Sequence, residues 1–227
     1  MNTCDTADWI VFCDFDGTIT TRDTCDAVLS AFASPLWREL DERFHAGELS
    51  GRECMARQFA TVTASEDQVA RFLRDHVRLD PAFPRLVQCL QTASIPLYIV
   101  SDGFDLASAT LLQAAGLGHI PRFANHIEFS ARGARVTFPY RRDDCISGGG
   151  NCKCSHVRSL ATGRQVMIIG DGYSDRCFAR LADLVFAKRV LLDHCRQAGI
   201  PHVPYQSFED LIASPEFQRV VAKTAGV

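Results

Sequence analysis

Four short apolar runs punctuate the chain: WIVFCDF from Trp9, IPLYIVSD from Ile95, QVMIIGDG from Gln165 and DLVFAKR from Asp183. Each is rich in Val, Ile or Phe without polar alternation, the pattern of strands buried on both faces. The first three end in polar, Gly-containing turns. Helical periodicity separates them, around Leu86–Leu90, Leu106–Ala115 and Cys177–Leu181. Strands alternating with helices predict an α/β fold with a doubly wound parallel sheet. In such sheets ligands bind beyond the carboxyl ends of the strands. Asp14, Asp16, Ser101, Asp171 and Asp175 all fall at or just past those ends.

Residues 22–80 read as helix alone. Val69, Phe72, Leu73 and Val77 mark one helical face, and Met55, Phe59 and Val62 another. An insertion of this size predicts a small helical cap at 22–80, with 1–21 and 81–227 forming the core. The stretch FANHIEFSARGARVTF, from Phe123, alternates around Gly133 and predicts a β-hairpin.

The 227 residues are 47% apolar and 22% charged, ordinary for a globular protein, and the net charge of −3 gives no broad positive field for nucleic acid. No apolar stretch is long enough to span a bilayer. The opening MNTCDTADW is acidic and lacks a signal-peptide core, so a cytoplasmic protein is expected. Ten cysteines are spread along the chain rather than framing a small loop-rich fold. Cys145, Cys152 and Cys154, with His156 nearby, could hold zinc, but their spacing is not that of a usual finger or ribbon. Thiols packed around the Lys153 loop are the preferred reading.

The chemistry lies in two acidic strand ends. DFDGT supplies Asp14 and Asp16, and GDGYSD supplies Asp171 and Asp175. Together they make a hard oxygen site suited to Mg2+. In IVSDGFD, Ser101, Asp102 and Gly103 stand at the expected start of a helix, where a hydroxyl and backbone N–H groups would bind phosphate. Lys153 in GGGNCKCSH follows a glycine run and adds a fixed cation. GGGNCK is not a Walker-type loop, because the Gly-Lys-Ser/Thr ending is missing.

DFDGT, a Ser after an apolar strand, a Lys and then GDGxSD resemble, in that order, the four motifs of the haloacid dehalogenase superfamily. The resemblance covers nearly the whole chain. It implies a Rossmann-like core and, in the phosphoserine-phosphatase-like branch, a helical cap between the first two motifs. It implies Asp14 as nucleophile and Asp16 as general acid/base. Ser101 and Lys153 would hold the phosphoryl group, Asp171 would bind magnesium and Asp175 would support the metal site. RECMARQ, FAN, GNCKC and IGDGYSDRC further resemble the 2-hydroxy-3-keto-5-methylthiopentenyl-1-phosphate phosphatase family of methionine salvage.

The implied reaction is hydrolysis of a small phosphorylated metabolite through an aspartyl-phosphate, which splits a very slow reaction into two steps. A phosphatase of another metabolite (phosphoserine-like, or a phosphorylated vitamin or sugar), a phosphomutase and a phospho-accepting switch stay open as alternatives. Phosphoserine-specific relatives grip the substrate carboxylate with a cap arginine. That position falls near Gln58, with Arg52 and Arg57 close by. Glutamine cannot form the bidentate pair, so a phosphorylated alcohol or enol without an amino-acid head is expected.

Overall fold

The computed structural model describes residues 8–130 and 132–224; the first seven residues of the opening stretch, Cys4 among them, lie outside the described residues. Seven strands form one sheet, ordered β4-β3-β2-β1-β5-β6-β7. β1 (Trp9–Cys13) is buried at every position. It pairs in parallel with β2 (Leu97–Phe104) through Val11–Leu97 and Cys13–Ile99. On its other side it pairs in parallel with β5 (Gln165–Gly170) from Trp9–Gln165 to Cys13–Ile169. β5, β6 (Leu184–Ala187) and β7 (His202–Pro204) continue in parallel. β3 (Arg122–Ser130) and β4 (Gly133–Thr137) form the expected antiparallel hairpin. The four apolar runs thus become β1, β2, β5 and β6, because a strand covered on both faces has no position left for a polar side chain.

Residue contacts divide the chain into two compact units. The first comprises residues 8–14, 80–99 and 153–224. It holds β1, the opening of β2, β5 to β7 and the helices α5 (Phe83–Thr92), α7 (Lys153–Leu160), α8 (Arg189–Ala198), α9 (Phe208–Ala213) and α10 (Pro215–Thr224). Its core includes Ile10, Phe12, Ile168, Phe178, Phe186 and Leu191, all fully buried.

The second unit comprises residues 15–79 and 100–152. Its first part is helical, as the periodicity predicts: α1 (Thr24–Phe32), α2 (Leu36–His45), α3 (Gly51–Phe59) and α4 (Glu66–His76). Asp23 and Ser50 cap α1 and α3, and Ser65 with Gln68 forms a reciprocal capping box on α4. The unit also takes in the end of β2, α6 (Asp105–Ala114) and the hairpin. Gly133 explains part of this grouping. Its φ of +112° and its approach to the Ala60 carbonyl leave no room for a Cβ. The hairpin therefore lies directly against the end of α3.

Two local expectations change. Cys177–Leu181 does not form an α-helix; two short 3₁₀ turns, Tyr173–Asp175 and Phe178–Leu181, occupy this region. Ser101–Gly103 still belong to β2, and α6 begins only at Asp105, after an extended Phe104. Among the described residues, no helix is long and apolar enough to cross a membrane.

Candidate active site

Within the first unit, Asp14 directly follows β1, and its backbone N–H donates to the Ile169 carbonyl at 2.9 Å. Asp171 directly follows β5. Asp175 turns back on the same loop: its Oδ2 accepts the backbone N–H of Asp171 at 3.0 Å and of Gly172 at 2.9 Å. Lys153 opens α7 and completes the group. Its Nζ donates to Asp14 Oδ1 at 2.5 Å and to Asp175 Oδ1 at 2.6 Å, with the Phe178 ring 5.5 Å away. All four side chains are buried.

Carboxylates outnumber the ammonium here, and that decides the electrostatics. Burial first, then the Asp175 charge, pushes the Asp14 pKa well above its ordinary value, while Lys153 pulls it down. Burial works against the Lys153 charge, but Asp14 and Asp175 outweigh it and hold the ammonium protonated. Oxygen atoms of Asp14, Asp171 and Asp175 lie within 4.8 Å of one another. Hard oxygen donors with surplus negative charge fit a magnesium ion. Both Asp175 oxygens are engaged by Lys153 and the loop backbone, so Asp14 Oδ2 and Asp171 are the better-placed donors. Arg189 Nη1 stands 3.4 Å from Asp171 Oδ2.

Within the second unit, Asp16 is the hub. Its Oδ1 accepts the Thr24 backbone N–H at 2.8 Å and the Thr24 hydroxyl at 2.6 Å; its Oδ2 accepts the Ser101 hydroxyl at 3.2 Å. The Gly103 N–H donates in turn to Ser101 Oγ at 2.8 Å. Thr24 was not singled out from sequence. The only signal for it is its place just after the Asp23 helix cap, which turns its N–H back toward Asp16. Asp102 enters different contacts, with Asn125 and Asn151, whose side chains are almost wholly buried.

The cap candidates divide by partner. Gln58 is buried and donates to the Trp37 carbonyl at 3.0 Å. Arg57 pairs with Glu53 one turn away at 2.6 Å. Arg52 is half-buried and leaves its Nη1 without a hydrogen-bond partner. Behind Thr24 lies an apolar cavity of about 10 Å³, walled by Val28, Phe59, Phe104, Ile127 and Phe129, with no charged side chain in its lining. The Phe59 and Phe104 rings meet edge-on at 4.5 Å.

Cys145, Cys152, Cys154 and His156 do not assemble into a metal site. Among the described residues, Asp14, Asp171 and Asp175 are the one group of three or more His, Cys, Asp or Glu whose ligand atoms converge. Cys152, Cys154 and His156 are buried instead, and burial lowers the His156 pKa to about 4.

A family model for haloacid dehalogenase-like hydrolases matches residues 11–180. The chain is 37% identical over 217 residues to the 2-hydroxy-3-keto-5-methylthiopentenyl-1-phosphate phosphatase of Geobacillus kaustophilus (strain HTA426), covering 93% of this chain and 97% of the relative. It is 37% identical over 218 residues to the phosphatase of the same name from Geobacillus thermodenitrificans (strain NG80-2), covering 94% and 98%. A solved structure described as a phospho-aspartyl intermediate analogue of phosphoserine phosphatase superposes with a TM-score of 0.67. That likeness covers 91% of this chain and 98% of the other at 15% identity, and it bears on the fold alone.

Proposed function

Because the chain belongs to the haloacid dehalogenase-like hydrolase family and is a phosphoric monoester hydrolase, we propose that it hydrolyses 2-hydroxy-3-keto-5-methylthiopentenyl 1-phosphate by way of an aspartyl-phosphate. The observation that carries the chemistry is Lys153 bridging Asp14 and Asp175 in a buried cluster. A carboxylate oxygen of Asp14 is the attacking atom. It forms a bond to phosphorus as the bond to the leaving oxygen breaks. Asp16 gives its proton to that leaving oxygen, then takes one from the water that releases inorganic phosphate and restores Asp14. Thr24, through its backbone N–H and its hydroxyl, keeps Asp16 in one orientation for both transfers. Lys153 would hold a phosphoryl oxygen, and the Ser101 hydroxyl would join it by turning its single proton from Asp16 to the phosphate. Asp14 and Asp171 would hold magnesium, which when bound supplies the positive charge that lets an anion approach an anion.

The leaving group is read, in this proposal, by the 22–80 helices. The assignment of the leaving group rests on the methylthiopentenyl-phosphate phosphatases to which the chain is similar; the apolar space lined by Thr24, Phe59 and Phe104, at about 10 Å³, has room for about one water and takes no substrate tail. Gln58 and Arg57 are occupied by neighbours on the helices themselves, which leaves Arg52, with its unpartnered Nη1, as the cap group that an amino-acid head would have to use. We place the enzyme in the cytoplasm, where its many free thiols would stay reduced. The test is phosphate release from the methylthiopentenyl phosphate and from phosphoserine at saturating magnesium. A kcat/KM at least tenfold higher for the former is expected; phosphoserine better by tenfold overturns the assignment.

A further inference from the structure

Between Tyr140 and Lys153 the chain passes a run of three glycines and Asn151, and the structure shows what this run is packed against. Asp102 Oδ1 accepts the Asn151 backbone N–H at 2.8 Å and the Asn125 side-chain amide at 3.3 Å. The same Asn125 amide donates to the Asp102 carbonyl at 2.6 Å. The Asn151 side chain donates to the carbonyls of Ser101, at 2.8 Å, and Phe123, at 2.9 Å. Asn125 is 0% and Asn151 2% exposed, so these bonds have no competition from water.

The glycines fit around the same carboxylate. A Cβ on Gly149 would stand 2.7 Å from Asp102 Oδ2. A Cβ on Gly150 would stand 2.8 Å from the Asn125 amide and press still closer on the Phe138 ring. Two residues beyond Asn151 comes Lys153, whose ammonium must reach Asp14 and Asp175 together.

We infer that Asp102 is a positioning residue: by holding the Asn151 amide and packing against Gly149, it fixes the point from which the chain delivers Lys153. This rests on the phosphatase reading of Lys153. It gives the Asp102 carboxylate a role of its own, beside the phosphate contact expected of the backbone N–H groups at this position. The need is one of tolerance. An ammonium shared between two carboxylates at hydrogen-bond distance loses one of them on a shift of about 1 Å, a displacement that can cost about a hundredfold in rate.

The experiment compares Asp102→Ala, Asp102→Asn and Gly149→Ala, using p-nitrophenyl phosphate so that a wrong assignment of the natural substrate leaves the test intact. Asp102→Ala removes the acceptor, and Gly149→Ala pushes the loop away while keeping the carboxylate. Both should lower kcat about a hundredfold, with a smaller change in KM and a cooperative unfolding transition retained. Asp102→Asn keeps an acceptor oxygen for the Asn151 N–H and should recover most of the lost kcat. Hydrogen exchange gives a readout independent of turnover: the Asn151 amide should be protected in the wild type and in Asp102→Asn, and exchange faster in Asp102→Ala. A folded Asp102→Ala enzyme with unchanged kcat overturns the inference. So does Asp102→Asn as damaged as Asp102→Ala, which would mean that the charge itself is used. Wild-type hydrolysis of p-nitrophenyl phosphate but not of the methylthiopentenyl phosphate would sink the substrate assignment alone.

Discussion

Lys153 and Asp14 meet at 2.5 Å with neither side chain open to water, and Lys153 makes the same contact with Asp175 on its other side. One ammonium is thereby the shared counterion of two buried carboxylates. Its removal leaves both uncompensated. Lys153→Gln should lower unfolding stability by about 3–5 kcal/mol, the usual cost of breaking a buried ion pair from one side. Urea denaturation of the purified variant measures this, and a loss under 1 kcal/mol would mean that the cluster reorganises freely.

Asp14→Asn should separate stability from activity. Burial and Asp175 already push the Asp14 carboxyl toward its neutral form, so an amide relieves repulsion while retaining an acceptor for Lys153. The midpoint of thermal unfolding should stay level or rise, a common result when a functional charge is removed. Hydrolysis should nearly vanish, because an amide cannot replace the attacking carboxylate. More than a few per cent of wild-type turnover would remove Asp14 from the nucleophile's role.

Chelation should abolish phosphate release, and added magnesium should restore it. Calcium should restore little, since its larger and more variable coordination shell displaces the carboxylates. A readout without turnover comes from linkage: magnesium should raise the unfolding midpoint of the wild type, and much less that of Asp171→Asn. Full activity after exhaustive chelation would contradict the proposed chemistry.

His156 predicts an acid limb in stability. Burial lowers its pKa to about 4, against about 6.5 for an unfolded histidine. Between those values the unfolded chain binds a proton that the folded chain refuses, so this contribution favours folding above pH 6.5 and is lost as pH falls toward 4. The shift corresponds to about 3 kcal/mol. His156→Gln should flatten the decline measured by denaturant unfolding between pH 7 and pH 4.5. Equal declines in the two proteins would assign the acid limb to other groups.

The four central strands and the residues at their ends were legible because burial on two faces excludes polar side chains, and chemistry then requires them at the point of exit. β7 was not legible: His202–Pro204 is three residues long and partly exposed, too short to carry a pattern. The region around Cys177–Leu181 misled because its four-residue stretch Phe178–Leu181 closes as a single short 3₁₀ turn, where periodicity suggested an α-helix. Thr24 escaped because a place just after a helix cap does not by itself show that a threonine turns back to Asp16, eight positions earlier, and Asn151 because its partner is distant in sequence. Asn151 reaches Asp102 across 49 positions, and no local pattern encodes that. The grouping of the hairpin with the helices of residues 15–79 is likewise set by a contact remote in sequence, between Gly133 and Ala60.

β1 lies between β2 and β5, strands that come much later in the chain, and this order bears on how the protein is made. Translation delivers β1 first, yet one of its edges has no partner until Leu97–Ile99 emerges and the other must wait for Gln165–Ile169. Residues 15–79 and 100–152 are meanwhile all available, so the second unit has its full sequence while β1 is still unpaired on one side. A nascent apolar strand left open in this way is a target for chaperones and a hazard for aggregation. Asp14 emerges with it and meets Lys153, Asp171 and Asp175 only near the end of synthesis. A chain released before Asp175 has been added therefore carries the proposed nucleophile with its charge cluster unbuilt, and premature termination yields no partly active phosphatase.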